Sequence, residues 1–190
     1  MKTIFTYSMI AVWLSLFCIN PVISKSVSAD KPALDSAQKV EQFKGMYKAG
    51  DYYFGGQPTL EAIKYLKSEG VKLFINLRTE NENQSFTNTV FNEENLLKKY
   101  EINYISIPVS YPDSYNAETL AKFKQALSEN ENKVFIHCAG GGRVKTFFMA
   151  YLIEVKGYTI NEAMSWGNEL NYYFPLGILL EKEIDMTFKK

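Results

Sequence analysis

The residues with the clearest chemical potential lie in one short segment, 137–143, which reads His-Cys-Ala-Gly-Gly-Gly-Arg. Three successive glycines lack a Cβ, so the backbone can take positive φ angles and direct several N–H groups toward one point. A helix that we expect to begin near Arg143 adds the positive end of its dipole, which favours binding of an anion. The guanidinium of Arg143 is suited to bind two anion oxygens at once, beside the backbone of Ala139, Gly140, Gly141 and Gly142.

Cys138 stands at the start of this loop, and its surroundings favour the thiolate form. Helix N-termini and neighbouring cations promote ionisation of a cysteine thiol, and the thiolate is the nucleophilic form. A lone cysteine without such surroundings is more often a buried, inert thiol. Because the glycines and Arg143 lie so near, we predict that one loop holds a nucleophile, its activator and an oxyanion clamp.

Composition excludes several other kinds of site. The 190 residues contain a single histidine, His137, and two cysteines, Cys18 and Cys138. A zinc site built from histidine and cysteine cannot be assembled from that set within one chain. Lys and Arg total 21 and Asp and Glu total 21, and nucleic-acid-binding proteins normally carry an excess of basic residues. We therefore expect no metal ion, no organic cofactor and no nucleic-acid partner.

The first 29 residues are typical of a secretory signal peptide. Lys2 supplies a positive start, the segment 9–19 is mainly apolar, and small residues precede a predicted cleavage site after Ala29. The apolar run is shorter than the roughly 20 residues that span a membrane, and an uncleaved membrane anchor is the alternative. We predict an exported protein, periplasmic or secreted, without stable membrane association after cleavage.

Segments of strand and helix character alternate along the rest of the chain. We predict a polar lead-in over 30–42 and one domain over 43–190, with strands at Tyr52–Gly56, Val71–Leu77, Ile102–Val109 and Lys133–His137. Helices are predicted over Thr59–Glu69 and Glu93–Tyr100, from Asn116 past Leu127, from Arg143 through Val155, and from Thr159 to about Leu170, with a polar loop after Leu77. This order implies an α/β fold with a mainly parallel central sheet flanked by helices. Ligands bind such sheets beyond the carboxyl ends of the strands, where segment 137–143 falls.

The sequence VFIHCAGGGR, between a strand and a buried helix, resembles the signature loop of the cysteine-dependent protein tyrosine and dual-specificity phosphatases. Within that superfamily it is similar to a bacterial branch, the phosphatase-like domains also named beta-lactamase-hydrolase-like. Those domains carry a GQP turn, matched here by 56–58, and an INLR strand end, matched by 75–78. Their loop is HCxSGxR, and this chain keeps the spacing with Gly140 in place of serine. The resemblance covers about Phe43 to Leu170 and implies a three-layer phosphatase architecture.

The resemblance also implies hydrolysis of phosphate monoesters through a phosphocysteine intermediate, with a phosphorylated protein or small molecule as substrate. Cys138 attacks phosphorus in such a reaction, and Arg143 and the loop amides bind the phosphoryl oxygens. The superfamily usually places its general acid, an Asp, on the loop after the preceding strand, and Asp113 matches that position. A turn-forming role is equally compatible with Asp113, and Glu118 is the reserve acid. His137 is expected to orient the loop through hydrogen bonds rather than to transfer a proton.

The loop departs from the superfamily in two respects. Most members have five residues between Cys and Arg and a hydroxyl residue directly after Arg, whereas here four residues intervene and Val144 follows. Thr146 is the nearest hydroxyl that can substitute. Many rhodanese-like sulfurtransferases also have a Cys-x4-Arg loop, so sulfur transfer through a Cys138 persulfide is an alternative. A phosphate-binding module without turnover is the third interpretation.

Polar residues outside the loop have two interpretations each. One charged stretch either reaches the site from a neighbouring strand end or belongs to a solvated loop, and we favour the solvated loop; it contains Arg78, Glu80 and Glu82. Gln57 is either a turn residue or a wall of the pocket.

Overall fold

The computed structural model describes residues 34–168 and 176–183 of the chain. The chain divides into two units, 1–30 and 31–190, and every described residue belongs to the second. The predicted signal peptide and the predicted end of the last helix near Leu170 lie outside the described residues. None of the helices in the two described ranges has the length and apolar character needed to cross a bilayer.

Strands and helices alternate through most of the described chain. They follow in the order β1 (Gln38–Lys39), β2 (Tyr47–Ala49), β3 (Tyr52–Gly55), α1 (Leu60–Ser68), β4 (Val71–Asn76), α2 (Glu80–Thr89), α3 (Glu93–Lys99), β5 (Asn103–Ser106), α4 (Ala117–Ser128), β6 (Lys133–His137), α5 (Gly142–Glu154), α6 (Ile160–Asn168) and α7 (Leu176–Leu180). The strands form one sheet in the order β1-β2-β3-β6-β4-β5. Strands β3, β6, β4 and β5 pair in parallel, whereas β1, β2 and β3 pair antiparallel. The predicted α/β fold with a mainly parallel sheet is confirmed.

Strand β6 occupies the centre of the parallel part of the sheet. Its last residue, His137, stands opposite Gly55 at the end of β3 and opposite Asn76 at the end of β4. The segments that follow these three strands therefore meet at one edge of the sheet, beyond the carboxyl ends. This register brings the GQP turn, the INLR strand end and segment 138–143 together.

Each face of the sheet is covered by helices, which gives the predicted three layers. Side chains alternate along a strand, so Val134 and Ile136 face one core and Phe135 faces the other. The first core contains residues of α4, α5, α6 and α7, and the second contains residues of α1 and α3. Helix α5 is buried from Val144 through Leu152, as its nearly continuous apolar sequence predicts.

Most predicted elements are found within one or two residues of their predicted limits, and the differences have local causes. The predicted polar loop after Leu77 is wrong, because α2 forms there, capped by Thr79 with a reciprocal bond to Glu82. Strand β5 is shorter than predicted; Pro108, which lacks an N–H, lies just beyond its end. Strands β1 and β2 were missed because they have only two and three residues, too few for an alternating pattern to be visible.

Candidate active site

Cys138 directly follows the central strand and is 1% exposed. The N–H of Gly141 donates to its Sγ over 3.0 Å. Gly141 has a φ of +91° and is the N-cap of α5, and this left-handed conformation is one that glycine adopts without strain. The Gly141 amide and the N-terminus of α5 both direct partial positive charge toward the sulfur.

The GQP turn supports the loop from the neighbouring strand. Cys138 N–H donates to the carbonyl of Gly55 over 3.4 Å, and Gln57 N–H donates to the carbonyl of Ala139 over 3.2 Å. A Cβ on Gly56 would stand 2.7 Å from that same Ala139 oxygen, so the close approach requires glycine. The turn therefore holds the first residues of the loop in place.

Arg143 is anchored by four acceptors on the opposite side of the loop. Its Nη1 donates to the carbonyls of Leu77 (3.1 Å) and Val109 (2.9 Å), which follow β4 and β5. Both terminal nitrogens also bind Glu82, with Nη1 to Oε2 and Nη2 to Oε1 each at 2.7 Å. The Glu82 carboxylate, and then Cys138, raise the pKa of Arg143. The guanidinium thus lies close to the sulfur and is aligned by a carboxylate.

Glu82 reaches Arg143, an alternative that the sequence analysis gave but did not favour. The preferred interpretation of this stretch as a solvated charged loop is wrong for Glu82 because α2 and its cap turn the side chain toward Arg143. The Arg143 hydrogen bonds, helped by Thr79, lower the pKa of Glu82 to about 2. Glu80 remains exposed, as expected. The Thr-x-x-Glu spacing of the capping box is the sequence signal that could have placed Glu82 at the start of a helix.

A buried polar network lies behind the strand ends. Asn76 is fully buried; its Oδ1 accepts from the Arg78 N–H over 2.7 Å, and its Nδ2 donates to Asn83 Oδ1 and to the Tyr104 hydroxyl over 2.9 and 2.8 Å. The Arg78 side chain donates to Gln57 Oε1 and to the carbonyl of Glu82. The solvated interpretation is therefore wrong for Arg78 also, and the network ties the GQP turn to α2 through the INLR strand end.

His137 is fully buried and packs flat against Phe135, with ring centroids 5.4 Å apart. Burial lowers its pKa to about 3, with the Cys138 backbone acting in the opposite direction. Neither ring nitrogen makes a well-aligned hydrogen bond to another described residue. Its Nε2 lies 3.3 Å from Oε1 of Glu93, a buried carboxyl whose pKa burial raises to about 7. The neutral imidazole packs on Phe135 just before the loop. We predicted that His137 orients the loop through hydrogen bonds, and no well-aligned hydrogen bond of this kind is found among the described residues.

The structure places Asp113 on the loop that follows β5. Its side chain is exposed, and its carbonyl accepts a hydrogen bond from Asn116 Nδ2 over 2.7 Å. Tyr115, two residues further on, is buried, and its ring packs against that of Phe147 in α5 at a centroid distance of 5.6 Å. Burial raises the pKa of Tyr115. Glu118 points elsewhere: it is exposed and forms a 2.8 Å ion pair with Lys122. Asp113 is therefore the better placed of the two predicted acids.

Two further predictions concern groups near the loop. The hydroxyl of Thr146 donates to the carbonyl of Gly142 over 3.3 Å, one turn back along α5, so in this conformation it bonds to the backbone of its own helix. Among residues 34–168 and 176–183, no group of His, Cys, Asp or Glu is arranged to hold a metal ion.

The chain is similar to known phosphatases in sequence and in fold. Residues 25–171 match the family described as PTP-NADK, DSP-PTPase phosphatase fused to NAD+ kinase. A beta-lactamase hydrolase-like protein from Agrobacterium fabrum is 33% identical over 94 residues, which are 50% of this chain and 21% of that protein. The chain thus spans about a fifth of the length of that relative.

Solved structures share the fold at lower identity. A putative DUF442 phosphatase from Shewanella putrefaciens is 21% identical, with a TM-score of 0.55 over 78% of this chain and 89% of that one. The P. aeruginosa protein TpbA, solved with phosphotyrosine, is 21% identical, with a TM-score of 0.55 over 70% and 77% of the two chains. PTPMT1 is 24% identical, with a TM-score of 0.57 over 68% and 87%. Together with the match over most of its length, these likenesses show that the chain belongs to the DSP-PTPase phosphatase family.

Proposed function

We propose that the protein hydrolyses phosphate monoesters, of the phosphotyrosine or dual-specificity type, through a phosphocysteine intermediate. The observation that carries the proposal is the environment of Cys138 Sγ, which accepts the Gly141 N–H at the start of α5 beside the Arg143 guanidinium. A nucleophilic sulfur and an oxyanion clamp on one loop are what phosphoryl transfer to cysteine needs. Family membership and the phosphotyrosine bound to the similar protein TpbA give independent support.

In the first step, the Cys138 thiolate attacks phosphorus while the bond from phosphorus to the leaving oxygen breaks. The backbone amides of the loop and the guanidinium of Arg143 stabilise the three non-bridging oxygens. Because Glu82 holds Arg143 through both terminal nitrogens, the guanidinium is oriented before substrate arrives. We assign Asp113 as the acid that protonates the leaving oxygen, since Tyr115 of the same loop packs against Phe147 in α5, the helix that begins in the glycine loop.

In the second step, water attacks phosphorus and the sulfur–phosphorus bond breaks. The Asp113 carboxylate accepts a proton from the water, inorganic phosphate leaves, and the thiolate is restored. Val144 follows Arg143 where most relatives have a hydroxyl, and Thr146 donates to its own helix. We therefore expect hydrolysis of the phosphocysteine to be slow relative to its formation, which would appear as a burst of leaving group.

Aromatic side chains beside the acid favour an aryl leaving group. Tyr111 is 60% exposed, and its ring meets that of Tyr115 edge to face at a centroid distance of 5.5 Å. An exposed ring on the loop that carries Asp113 offers a surface against which an aryl phosphate can stack. This arrangement supports phosphotyrosine or another aryl phosphate as substrate.

The test is a paired assay on the purified full chain, with Cys138→Ser as the matched control. Hydrolysis of 4-nitrophenyl phosphate and sulfur transfer from thiosulfate to cyanide are measured side by side. We expect phosphate release that Cys138→Ser lowers by at least about a thousandfold. Sulfur transfer without phosphate release would refute the phosphatase and favour a Cys138 persulfide. Vanadate binding without either reaction would show that the protein binds phosphate but does not turn it over, which is the third interpretation.

We further propose that the protein is exported, which rests on the apolar segment 9–19 and the small residues before Asp30. N-terminal sequencing of protein recovered from the exported fraction should show a mature start at about Asp30. A mature start at Met1 in a membrane fraction would instead support an uncleaved anchor.

A further inference from the structure

A small cavity lies beside the glycine loop. Its volume is about 180 Å³. One wall is formed by Gly140, Gly141 and Gly142, and the others by Gly45, Tyr47, Phe54, Gly55, Val144, Lys145 and Trp166. Neither Cys138 nor Arg143 lines it. Lys145 follows Arg143 by two residues, which is roughly 200° around a helix, so the two cations project from opposite sides of the α5 N-terminus.

Lys145 has an unusual environment for a lysine. It is only 5% exposed, yet it lines the cavity. Its stem is covered by α6, where a Cβ on Gly167 would stand 3.0 Å from Lys145 Cε and 2.5 Å from Met149 Sδ. Glycine at 167 therefore allows α6 to lie directly against the stem, and Lys145 lines the cavity beyond it.

The Lys145 backbone N–H donates to the carbonyl of Gly141 over 3.2 Å, whereas the Lys145 ammonium group forms no hydrogen bond or ion pair with any other residue of 34–168 or 176–183. The residues that line the cavity within those ranges include no acid. Burial of an ammonium group without a counter-ion is costly, and burial lowers the pKa of Lys145. Among the residues of the two described ranges, the lysine thus has no counter-ion, and it borders a partly open cavity.

Three aromatic rings complete the walls. The indole Nε1 of Trp166 is buried and has no hydrogen-bond partner among the described residues. The Trp166 ring packs against Phe54 at a centroid distance of 5.3 Å, and Tyr47 lines the cavity as well. A cation and aromatic walls suit an anionic group attached to an apolar or aromatic body.

We propose that this cavity is a second anion-binding site, in which Lys145 pairs with a phosphate, sulfate or carboxylate group. The anion has two possible sources. One is a second anionic group on the substrate, such as that of a bisphosphate, and this source rests on the proposed phosphatase function. The other is a separate small anion that binds beside the loop independently of catalysis.

Binding is tested on the full chain carrying Cys138→Ser, with sulfate as the probe and tryptophan fluorescence as the readout. Trp166 is one of two tryptophans in the chain, so Trp166→Phe identifies its share of the signal. We expect a saturable response that persists in Arg143→Ala and in Lys145→Arg. Lys145→Met, which keeps the length of the stem, should weaken sulfate binding at least tenfold. A response that is absent, or that Lys145→Met leaves unchanged, overturns the proposal.

Kinetics with intact Cys138 distinguish the two sources. Phenyl phosphate is compared with 1,3- and 1,4-phenylene bisphosphate, with and without Lys145→Met. A kcat/KM at least tenfold higher for one bisphosphate, abolished by Lys145→Met, supports the substrate's second anion. Equal kcat/KM values with a Lys145-dependent sulfate response support a separate anion. If no substrate is hydrolysed and the sulfate response remains, the phosphatase proposal fails and the anion site stands.

Discussion

The ion pair between Glu82 and Arg143 offers the sharpest test of how the site is organised, through the substitution Glu82→Gln. Glutamine fits the same space and can still complete the capping box with Thr79, so the change removes the charge and leaves the helix start intact. The side chains of Glu82 and Arg143 are 31% and 18% exposed. We expect a loss of both stability and activity, because Arg143 then loses the carboxylate that orients it.

The size of the effect follows from the pKa of Glu82. A fall from 4.5 to about 2 corresponds to at most about 3.4 kcal/mol, at 1.36 kcal/mol per unit. Because Glu82 is about a third exposed, solvent screening reduces this value, and we expect Glu82→Gln to cost about 1–2 kcal/mol of unfolding free energy at pH 7. A guanidinium displaced by about 1 Å can cost up to about a hundredfold in rate, so kcat/KM should fall by about 10- to 100-fold.

The pH dependence of stability gives an independent test of the loss expected for Glu82→Gln. The folded-state pKa of Glu82 is depressed, so its stabilisation is complete above about 4.5 and is lost as the pH falls through about 2. Urea unfolding of the two proteins should therefore differ fully at pH 6 and converge toward pH 2.5. Glu80→Gln, an exposed change in the same helical turn, is the matched control and should show neither effect. A stability difference that is unchanged at pH 2.5, or an unaltered kcat/KM, would refute the reasoning.

Three further predictions follow from the contacts. Asp113→Asn should lower kcat about a hundredfold on phenyl phosphate but much less on 4-nitrophenyl phosphate, because 4-nitrophenolate leaves without a proton. Glu118→Gln is the control, and equal losses on the two substrates would contradict the role of Asp113 as the acid. Gly56→Ala should cost about 1–3 kcal/mol in urea unfolding, because its Cβ meets the Ala139 carbonyl at 2.7 Å. Gly140→Ala is the matched control: its new Cβ has open space around it, so the unfolding free energy should not change. Equal unfolding free energies of the two alanine variants would refute the close approach of Gly56 to Ala139. Lys145→Met should raise the unfolding free energy by about 1 kcal/mol, because it removes a buried charge that has no counter-ion among the described residues. Thermal unfolding at pH 7 should therefore show a higher melting temperature, and a lower one would contradict this prediction.

Several features depend only on residues that are close in the chain, and these could be predicted from sequence. The caps of α1, α4 and α6 are formed by Thr59, Asn116 and Thr159, each reaching a backbone group three residues ahead. Strand β6 is found at its predicted limits, and the glycines that follow it form a loop with a positive φ at Gly141. The order of strands and helices was enough to imply a mainly parallel sheet.

Other features depend on which remote segments the sheet brings together. Glu82 and Arg143 are 61 residues apart in the chain, and they meet because β4 and β6 are adjacent parallel strands whose carboxyl ends share one edge. The role of Gly56 became visible only through its distance to Ala139. Strands β1 and β2 and the short helix α7 form by pairing or packing against larger elements, which local periodicity does not record.

The composition of the loop was enough to predict its chemistry, because a nucleophile, glycines and an arginine within seven residues need only one turn of backbone to come together. The side chains that hold the loop and line its surroundings depend on the packing of remote segments. Strand register brings Glu82 to Arg143. The packing of α6 places the Lys145 side chain at the cavity wall, where its ammonium group has no partner among residues 34–168 and 176–183. Such choices depend on distances between side chains that the order of residues does not specify.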